Sequence, residues 1–449
     1  MKLGKRKIFN LREGEHKLVF SLMATLAVST LVFELSDVIA TGGFISKIGP
    51  RNIVWLWIVD MVITILTAGV YALAVDKMPR VKLVQGLLVG FALLFIALRF
   101  LFNYSSLSWL TYPLLYILTD QLYAVFPLAF WALANDLYSS AEGKRLFPII
   151  TMGAVIGSIL GNGLAAASNW ILGPSGKETH SLLVVGAGAL FLGFLLVRFT
   201  LAGRQIKARQ ARETKFDIRE TISVGWDYVK NVPIFKYLAI SMLLSGVAFT
   251  FLEYHFLFSL DVKVASKSMD FQTFYGTFKI IVIVSTLLVQ AFFSGKYLEK
   301  LGLKNSFIAQ PVALVLGSLI AASVSGVYGA AGARYVIRLV QQSWDEPARK
   351  SLENLVPDER RGRVSVMIDR YLYDISTIFS ALVLGLLLFL STNWLSGSLV
   401  INIYLGLSLV VSLVAIWSAF RLRSTYEKSL LDYRLARSRR KSVLDGIEF

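Results

Sequence analysis

The chain is a succession of about twelve apolar runs, each of roughly twenty residues or more, separated by short charged segments. A helix of that length rises about 30 Å, which is the thickness of the hydrocarbon core of a bilayer. Hydrophobic residues make up 55% of the chain and its mean hydropathy is +0.63, more apolar side chain than a soluble core of this size buries. The sequence therefore predicts an all-α polytopic membrane protein.

Twelve transmembrane helices are predicted, and the first is too long for the core of a cleaved signal peptide. A long basic stretch separates helices 6 and 7, so the predicted domains are an N-terminal six-helix bundle (1–201), a basic cytoplasmic linker (202–233), a C-terminal six-helix bundle (234–421) and a basic cytoplasmic tail (422–449). The predicted helices are 18–40, 52–75, 82–103, 108–134, 146–170, 181–201, 235–258, 271–294, 305–326, 329–350, 364–390 and 396–420.

The distribution of basic residues predicts the topology. Most of the 46 lysines and arginines lie at the chain ends or in alternate connections, whereas the remaining connections hold only Lys47, Arg51, Lys177, Lys263 and Lys267. By the positive-inside rule both termini are cytoplasmic, in what we expect to be a bacterial inner membrane. The net charge of +17 is then a topology signal with anionic lipids as its partners, and a nucleic-acid partner is not predicted.

The composition argues against an enzyme. The chain has no cysteine and only three histidines, so neither a thiolate site nor a metal centre is predicted. It also lacks a P-loop and any recognisable nucleophile motif. We expect a protein without catalytic residues or cofactors.

Charged turns recur across the middle of the chain with an offset of about 215 to 225 residues, which indicates an internal repeat. Two six-helix halves with matched cytoplasmic turns resemble the plan of the major facilitator superfamily, in which the solute site lies near the membrane midplane. We predict that these turns form a cytoplasmic gate. Its residues are Asp76, Lys77, Lys144, Arg145, Arg360, Arg361 and Arg363.

Ionisable residues deep within the predicted spans are the candidate functional site, because each costs a few kcal/mol in hydrocarbon unless it meets water or a partner. The set carries both signs and is spread over both halves, which favours a water-filled cavity; buried ion pairs between helices are the alternative. The predicted solute-binding residues are Arg334, Arg338, Lys279, Arg370, Asp120 and Asp60. The predicted coupling residues are Glu34, Asp37, Asp369 and Asp374.

Arg334 and Arg338 are one turn apart on helix 10 and therefore share a face. Two guanidinium groups suit a phosphate or a carboxylate, since each offers a planar pair of donors. Pairing with Asp120 or Asp374 is the competing explanation. Charged residues nearer the outer helix ends are expected to reach the interface; they are Arg99, Glu253 and His255.

A glycine stripe on predicted helix 5 comprises Gly153, Gly157 and Gly161. Small residues four apart let two helices approach closely, so tight helix packing is predicted there.

Three segments carry a resemblance to a known family. Residues 130–135 (FWALAN), the following 142–148 (EGKRLFP) and the turn 357–364 (PDERRGRV) are similar to the ATP/ADP translocase family of plastids and obligate intracellular bacteria. The resemblance implies a major facilitator-like fold and a nucleotide or another anionic solute. Family members that exchange ATP for ADP carry two cations on helix 1 where this chain has Phe33 and Ser36.

Three functions follow from these patterns. The first is a secondary active transporter that moves an anionic, nucleotide-like or phosphorylated solute by alternating access, through exchange or proton coupling, as a monomer. The second is a proton-driven exporter of amphiphiles or drugs, favoured by the 13% aromatic content and the buried acids. The third is a non-transporting membrane receptor or scaffold that uses the basic tail.

Overall fold

A computed structural model of the chain describes residues 12, 14–75, 78–173, 178–201, 226–227, 229–294, 302–353, 356 and 364–444. Among these residues the regular elements are all helical and no strand occurs. Eleven helices within the described ranges are long and apolar enough to cross a bilayer. The prediction of an all-α polytopic membrane protein with about twelve spans is confirmed.

The principal helices are labelled α1 to α12 in chain order. They are α1 His16–Ile48, α2 Ile53–Val75, α3 Arg80–Leu101, α4 Ser108–Leu137, α5 Ser140–Ala166, α6 Leu183–Leu201, α7 Pro233–Ala265, α8 Phe271–Val289, α9 Ala309–Ser323, α10 Val327–Val340, α11 Leu372–Asn393 and α12 Gly397–Leu444. Helix α12 extends well beyond residue 420, where the last predicted span ends.

Helix α5 begins six residues before its predicted start at residue 146. Its N-terminus is a capping box: the Ser139 hydroxyl accepts from the Glu142 amide, and the Glu142 carboxylate accepts from the Ser139 amide at 2.9 Å. This reciprocal pairing satisfies backbone donors that would otherwise have no partner in the first turn. The predicted gate residues Lys144 and Arg145 are therefore part of a helix and do not lie in a loop.

Helix α10 is the predicted span that is missing from the eleven apolar helices. It has only 14 residues before a π-helical turn at Gln341–Asp345, and it carries Arg334 and Arg338. Two further π-helical turns in the described residues follow α8 (Gln290–Ser294) and precede α11 (Met367–Tyr371). Such turns are rare and often occur at functional sites.

The chain divides into two compact units that do not follow its order. The first comprises Met1–Gly49, Ile63–Lys215 and Val264–Ile283, and the second comprises Pro50–Val62, Phe216–Lys263 and Val284–Phe449. Parts of α2 and α8 thus belong to each unit. The predicted domain boundaries near 201, 234 and 421 stay a prediction.

In the first unit α1 packs most extensively on α5, followed by α4 and α6. The glycine stripe forms this contact, and an added Cβ at Gly153, Gly157 or Gly161 would lie 2.1, 2.2 and 2.4 Å from the carbonyl oxygens of successive turns of α1. No side chain fits in that space. The predicted close approach of two helices at this stripe is confirmed.

In the second unit α9 packs between α10 and α12. Serine hydroxyls link these helices, since Ser318 lies 2.9 Å from Ser408, which donates in turn to the Ala248 carbonyl of α7. Pairs of this kind satisfy polar groups without exposing them to lipid.

Candidate functional site

An ion cluster in the first unit joins α1 to α8. Glu34 and Asp37 lie three residues apart on α1, so their carboxylates share one face. Lys279 of α8 contacts both: its Nζ lies 2.8 Å from Asp37 Oδ2 and forms a second ion pair with Glu34 Oε2. The sequence assigned the lysine to solute binding and the two acids to coupling, whereas the structure brings all three together.

Neighbouring side chains enclose this cluster, which we call the Lys279 cluster. Asn162 of α5 donates from Nδ2 to Glu34 Oε2 at 3.0 Å, and the Lys279 ammonium lies 5.6 Å and 5.5 Å from the ring centres of Phe33 and Tyr275. The side chains of Lys279, Glu34 and Asp37 remain 18%, 11% and 22% exposed. These groups are mostly buried but are still accessible to water or to a solute.

Sequence reasoning missed Asn162, although an amide in an apolar span between two glycines was a visible clue. Gln342 in the second unit is likewise an amide within a predicted span. Its side-chain oxygen accepts from Thr286 at 3.0 Å, and its backbone carbonyl accepts from Gln290 at 3.0 Å. These contacts link two of the π-helical turns, which no sequence pattern predicted.

The two α10 arginines have different surroundings. Arg334 is 6% exposed, forms a 2.6 Å ion pair with Glu253 and lies over the ring of Phe256. Glu253 is an acidic partner that the sequence did not suggest, and pairing with Asp120 or Asp374 stays a prediction. Glu253 is mostly buried and His255 is buried in the second unit, and the expectation that they reach the interface stays a prediction.

Arg338 is half-buried and its guanidinium lies 4.3 Å from the ring centre of Phe249. Its polar contact is a long 3.5 Å approach to Gln341 on the next turn. Among the described residues it has no ion pair with a carboxylate. The two arginines share a helix face as predicted, but only Arg334 has an acidic partner in the described part of the chain.

Three further acids of the predicted site are described, and none is a member of the Lys279 cluster as defined above. Asp120 of α4 accepts from Thr64 at 3.3 Å, and Asp60 of α2 is buried. Asp374 is fully buried at the start of α11 and lies 3.4 Å from Arg370 Nε, one turn before it. The roles assigned to Asp60, Asp120, Arg370 and Asp374 stay predictions.

Several predicted gate residues lie outside the described residues: Asp76, Lys77, Arg360, Arg361 and Arg363. The side chains of Lys144 and Asp369 are likewise outside the described part. Arg145 is described, and its guanidinium pairs with Glu15 before α1 at 2.5 and 2.8 Å. Those hydrogen bonds lower the pKa of Glu15 to about 2.

Comparison with protein families gives a match over more than half of the chain. A family model described as TLC ATP/ADP transporter matches residues 92–340. ADP,ATP carrier protein 1 of Chlamydia pneumoniae is 22% identical over 230 residues, which cover 47% of this chain and 44% of the relative. The chain thus matches less than half of that relative's length.

Solved structures show the fold. A point mutant of the nucleoside transporter NupG superposes with a TM-score of 0.65 at 17% identity, covering 90% of this chain and 99% of that one. A POT family transporter in complex with 5-aminolevulinic acid gives 0.63 at 10% identity, covering 92% and 96%. A bacterial homologue of the iron transporter ferroportin, in its inward-facing state, gives 0.61 at 15% identity, covering 91% and 98%. The chain therefore has the twelve-helix fold of the major facilitators.

Proposed function

Because this chain belongs to the TLC ATP/ADP transporter family, we propose that it is a secondary active transporter that moves an anionic, nucleotide-like or phosphorylated solute by alternating access. The name of the Chlamydia pneumoniae relative and the nucleotide transport in the family description support a nucleotide-like solute. The fold supports transport across a membrane over catalysis.

The surroundings of Arg338 are the observation that best supports an anionic solute. A guanidinium at half-burial within a membrane helix needs a compensating charge or water, because an isolated charge there costs a few kcal/mol or more. Phe249 stacks on one face of the guanidinium, and within the described ranges the polar edge of Arg338 makes only the long contact to Gln341. Phosphate oxygens match that edge as a bidentate acceptor.

The Lys279 cluster supports coupling. One ammonium shared by two carboxylates leaves a formal charge of −1 when all three groups are ionised. Protonation of Glu34 or Asp37 would weaken the hold on Lys279 and free its ammonium for an anionic solute. A solute phosphate that displaced a carboxylate would have the same effect by exchange, so both coupling modes begin at this cluster.

The Lys279 cluster also bears on the two helix 1 cations that this chain lacks, at the positions of Phe33 and Ser36. Ser36 is buried and its hydroxyl donates to the Val32 carbonyl at 2.7 Å, while Phe33 stacks on Tyr123. The cation beside Asp37 is supplied by α8 in this chain. We therefore propose a solute related to nucleotides and do not assign ATP/ADP exchange itself.

Uptake into proteoliposomes tests the proposal. Purified protein would be reconstituted and supplied with labelled ATP, ADP, nucleoside monophosphates and uridine, with unlabelled solute inside or with a pH gradient. We expect saturable uptake of at least one phosphorylated solute, reduced at least tenfold by Arg338→Ala. Arg421→Ala is the matched control, because Arg421 also lies over an aromatic ring (Trp417) but is exposed. Folded protein that transports no phosphorylated solute under either condition would refute the proposal.

A proton-driven exporter of lipophilic cations is the second candidate. Phe33 and Tyr123 stack at 4.6 Å beside the carboxylates of the Lys279 cluster, and aromatic rings next to acids suit a flat cation. Uptake of a lipophilic cation against a pH gradient, lost in Asp37→Asn, would favour this candidate over the first.

We propose a monomer in a bacterial inner membrane with both termini cytoplasmic. The basis is the placement of lysine and arginine along the chain and the source of the Chlamydia pneumoniae relative. Protease or label accessibility of a tag at either end, in intact cells and in inverted vesicles, tests the orientation.

A further inference from the structure

A surface recess of about 320 Å³ lies in the second unit, and none of the residues considered above for the solute is among its lining residues. It is formed where the C-terminal part of α7, the turn between α9 and α10, and the first turns of α12 meet. Its polar lining includes His255, Ser259 and Lys263 from α7, Ser325 from the turn and Asn402 from α12. A cleft of this volume accommodates a small ligand.

The N-terminus of α10 forms one wall of the recess, through Gly326 and Val327. Gly326 precedes the helix with φ of 85°, a conformation that glycine adopts without strain, and no side chain caps the helix. The first backbone N–H groups of a helix have no partner within it, and the aligned peptide dipoles place partial positive charge there. Such an end attracts anions.

His255 is an independent observation that points to a ligand. The residue is 6% exposed and its Nδ1 lies 2.8 Å from the Tyr404 hydroxyl. Its Nε2 is buried and has no hydrogen-bond partner among the residues that the structure describes. When the tyrosine donates to Nδ1, the imidazole proton is on Nε2, which makes this nitrogen a buried donor.

The described lining of the recess is complementary to an anion with an apolar part. Lys263 adds a full positive charge, and none of the described lining residues is acidic. Phe258, Val262 and Leu405 supply apolar surface beside these donors. A phosphate group satisfies an ammonium, an imidazole N–H and helix N–H groups together.

We propose that this recess is a binding site for a phosphate-bearing anion, held by Lys263, His255 and the N-terminus of α10. The phosphate belongs either to the headgroup of an anionic lipid or to a soluble phosphate ester. The site joins α7, α10 and α12, so its ligand stabilises the second unit. The inference does not depend on the transported solute.

Thermal unfolding of the purified full chain in a neutral detergent tests the site. The titrants are short-chain phosphatidylglycerol, glycerol phosphate and inorganic phosphate, with short-chain phosphatidylcholine as the zwitterionic comparison. We expect an anionic titrant to raise the apparent Tm saturably, because a ligand that binds the folded state stabilises it. A shift with phosphatidylglycerol alone identifies a lipid, and a shift with the soluble phosphates identifies the free anion.

Substitutions assign the effect to the recess. Lys263→Ala and His255→Asn should each weaken the apparent affinity at least tenfold. Lys267→Ala removes an exposed lysine four residues further along the chain, and His180→Asn removes a buried histidine of the first unit, so both controls should bind as the wild type does. If His255→Asn fails to fold, Lys263→Ala still tests the proposal, because Lys263 is exposed. Equal shifts in Lys263→Ala and wild type, equal binding of phosphatidylcholine, or no shift with any anion would each overturn the proposal.

Discussion

Replacing Lys279 with glutamine would remove the only cation that the described structure places in contact with Glu34 and Asp37. The formal charge of the cluster changes from −1 to −2, with both carboxylates on neighbouring turns of α1. Breaking a fully buried ion pair costs about 3–5 kcal/mol. Because the three side chains are 11–22% exposed, solvent screening lowers this, and we expect a loss of about 2–3 kcal/mol in the free energy of unfolding.

A second substitution should partly restore stability, which an ordinary packing defect would not allow. Glu34→Gln in the Lys279→Gln background returns the charge to −1 and leaves an amide oxygen that can still accept from Asn162. We expect the double variant to be more stable than the single variant by about 1 kcal/mol or more.

Unfolding of the purified variants in detergent, followed by tryptophan fluorescence against temperature and denaturant, measures both effects. Lys47→Gln is the matched control, since Lys47 lies exposed near the C-terminal end of the same helix. If Lys279→Gln were as stable as Lys47→Gln, or if the double variant were the less stable of the two, the ion cluster would not hold α8 against α1.

Three further perturbations follow from the described contacts. Gly157→Ala should lower the free energy of unfolding by about 1–3 kcal/mol through overpacking, whereas the added methyl of Gly188→Ala meets open space and should be neutral or stabilising. Unfolding both variants in parallel tests the difference, and equal stabilities would contradict it. Arg334→Ala leaves Glu253, whose side chain is 14% exposed, without its ion pair and should cost more stability than the double variant that also carries Glu253→Gln. Denaturant unfolding measures both losses, and equal losses would contradict this expectation. The depressed pKa of Glu15 contributes stability that is present above pH of about 4.5 and is lost as the pH falls toward 2. Glu15→Gln should therefore make the apparent Tm depend less on pH over that range, and an unchanged dependence would count against the ion pair.

The helices were predictable because apolar length alone specifies a membrane span. The glycine stripe was also informative, since residues without side chains leave only backbone to pack against. The earlier start of α5 was recoverable in principle from the Ser-x-x-Glu pattern at Ser139, a local signature of a helix N-terminus.

The partners of the charged residues were not predictable. Helices such as α1 and α7 are apolar around most of their circumference, so their sequences do not specify which face meets which neighbour. The pairing of Lys279 with Glu34, and of Arg334 with Glu253, depends on the rotation of helices far apart in the chain. The π-helical turns were hidden for the same reason, because they depend on tertiary contacts such as those of Gln342.

The absence of clearance along the glycine stripe limits which parts of the first unit can shift independently. Since the carbonyls of α1 rest directly on the glycine backbone of α5, the two helices behave as one rigid rod pair. Glu34 and Asn162, one on each helix, then keep their spacing whatever the rest of the unit does. Helix α8 rests on the same pair, because an added Cβ at Gly276 would lie 2.7 Å from the Asn162 carbonyl oxygen and Thr273 donates to the Ala166 carbonyl at 3.0 Å. Lys279 is therefore held beside both acids by backbone contact as well as by charge.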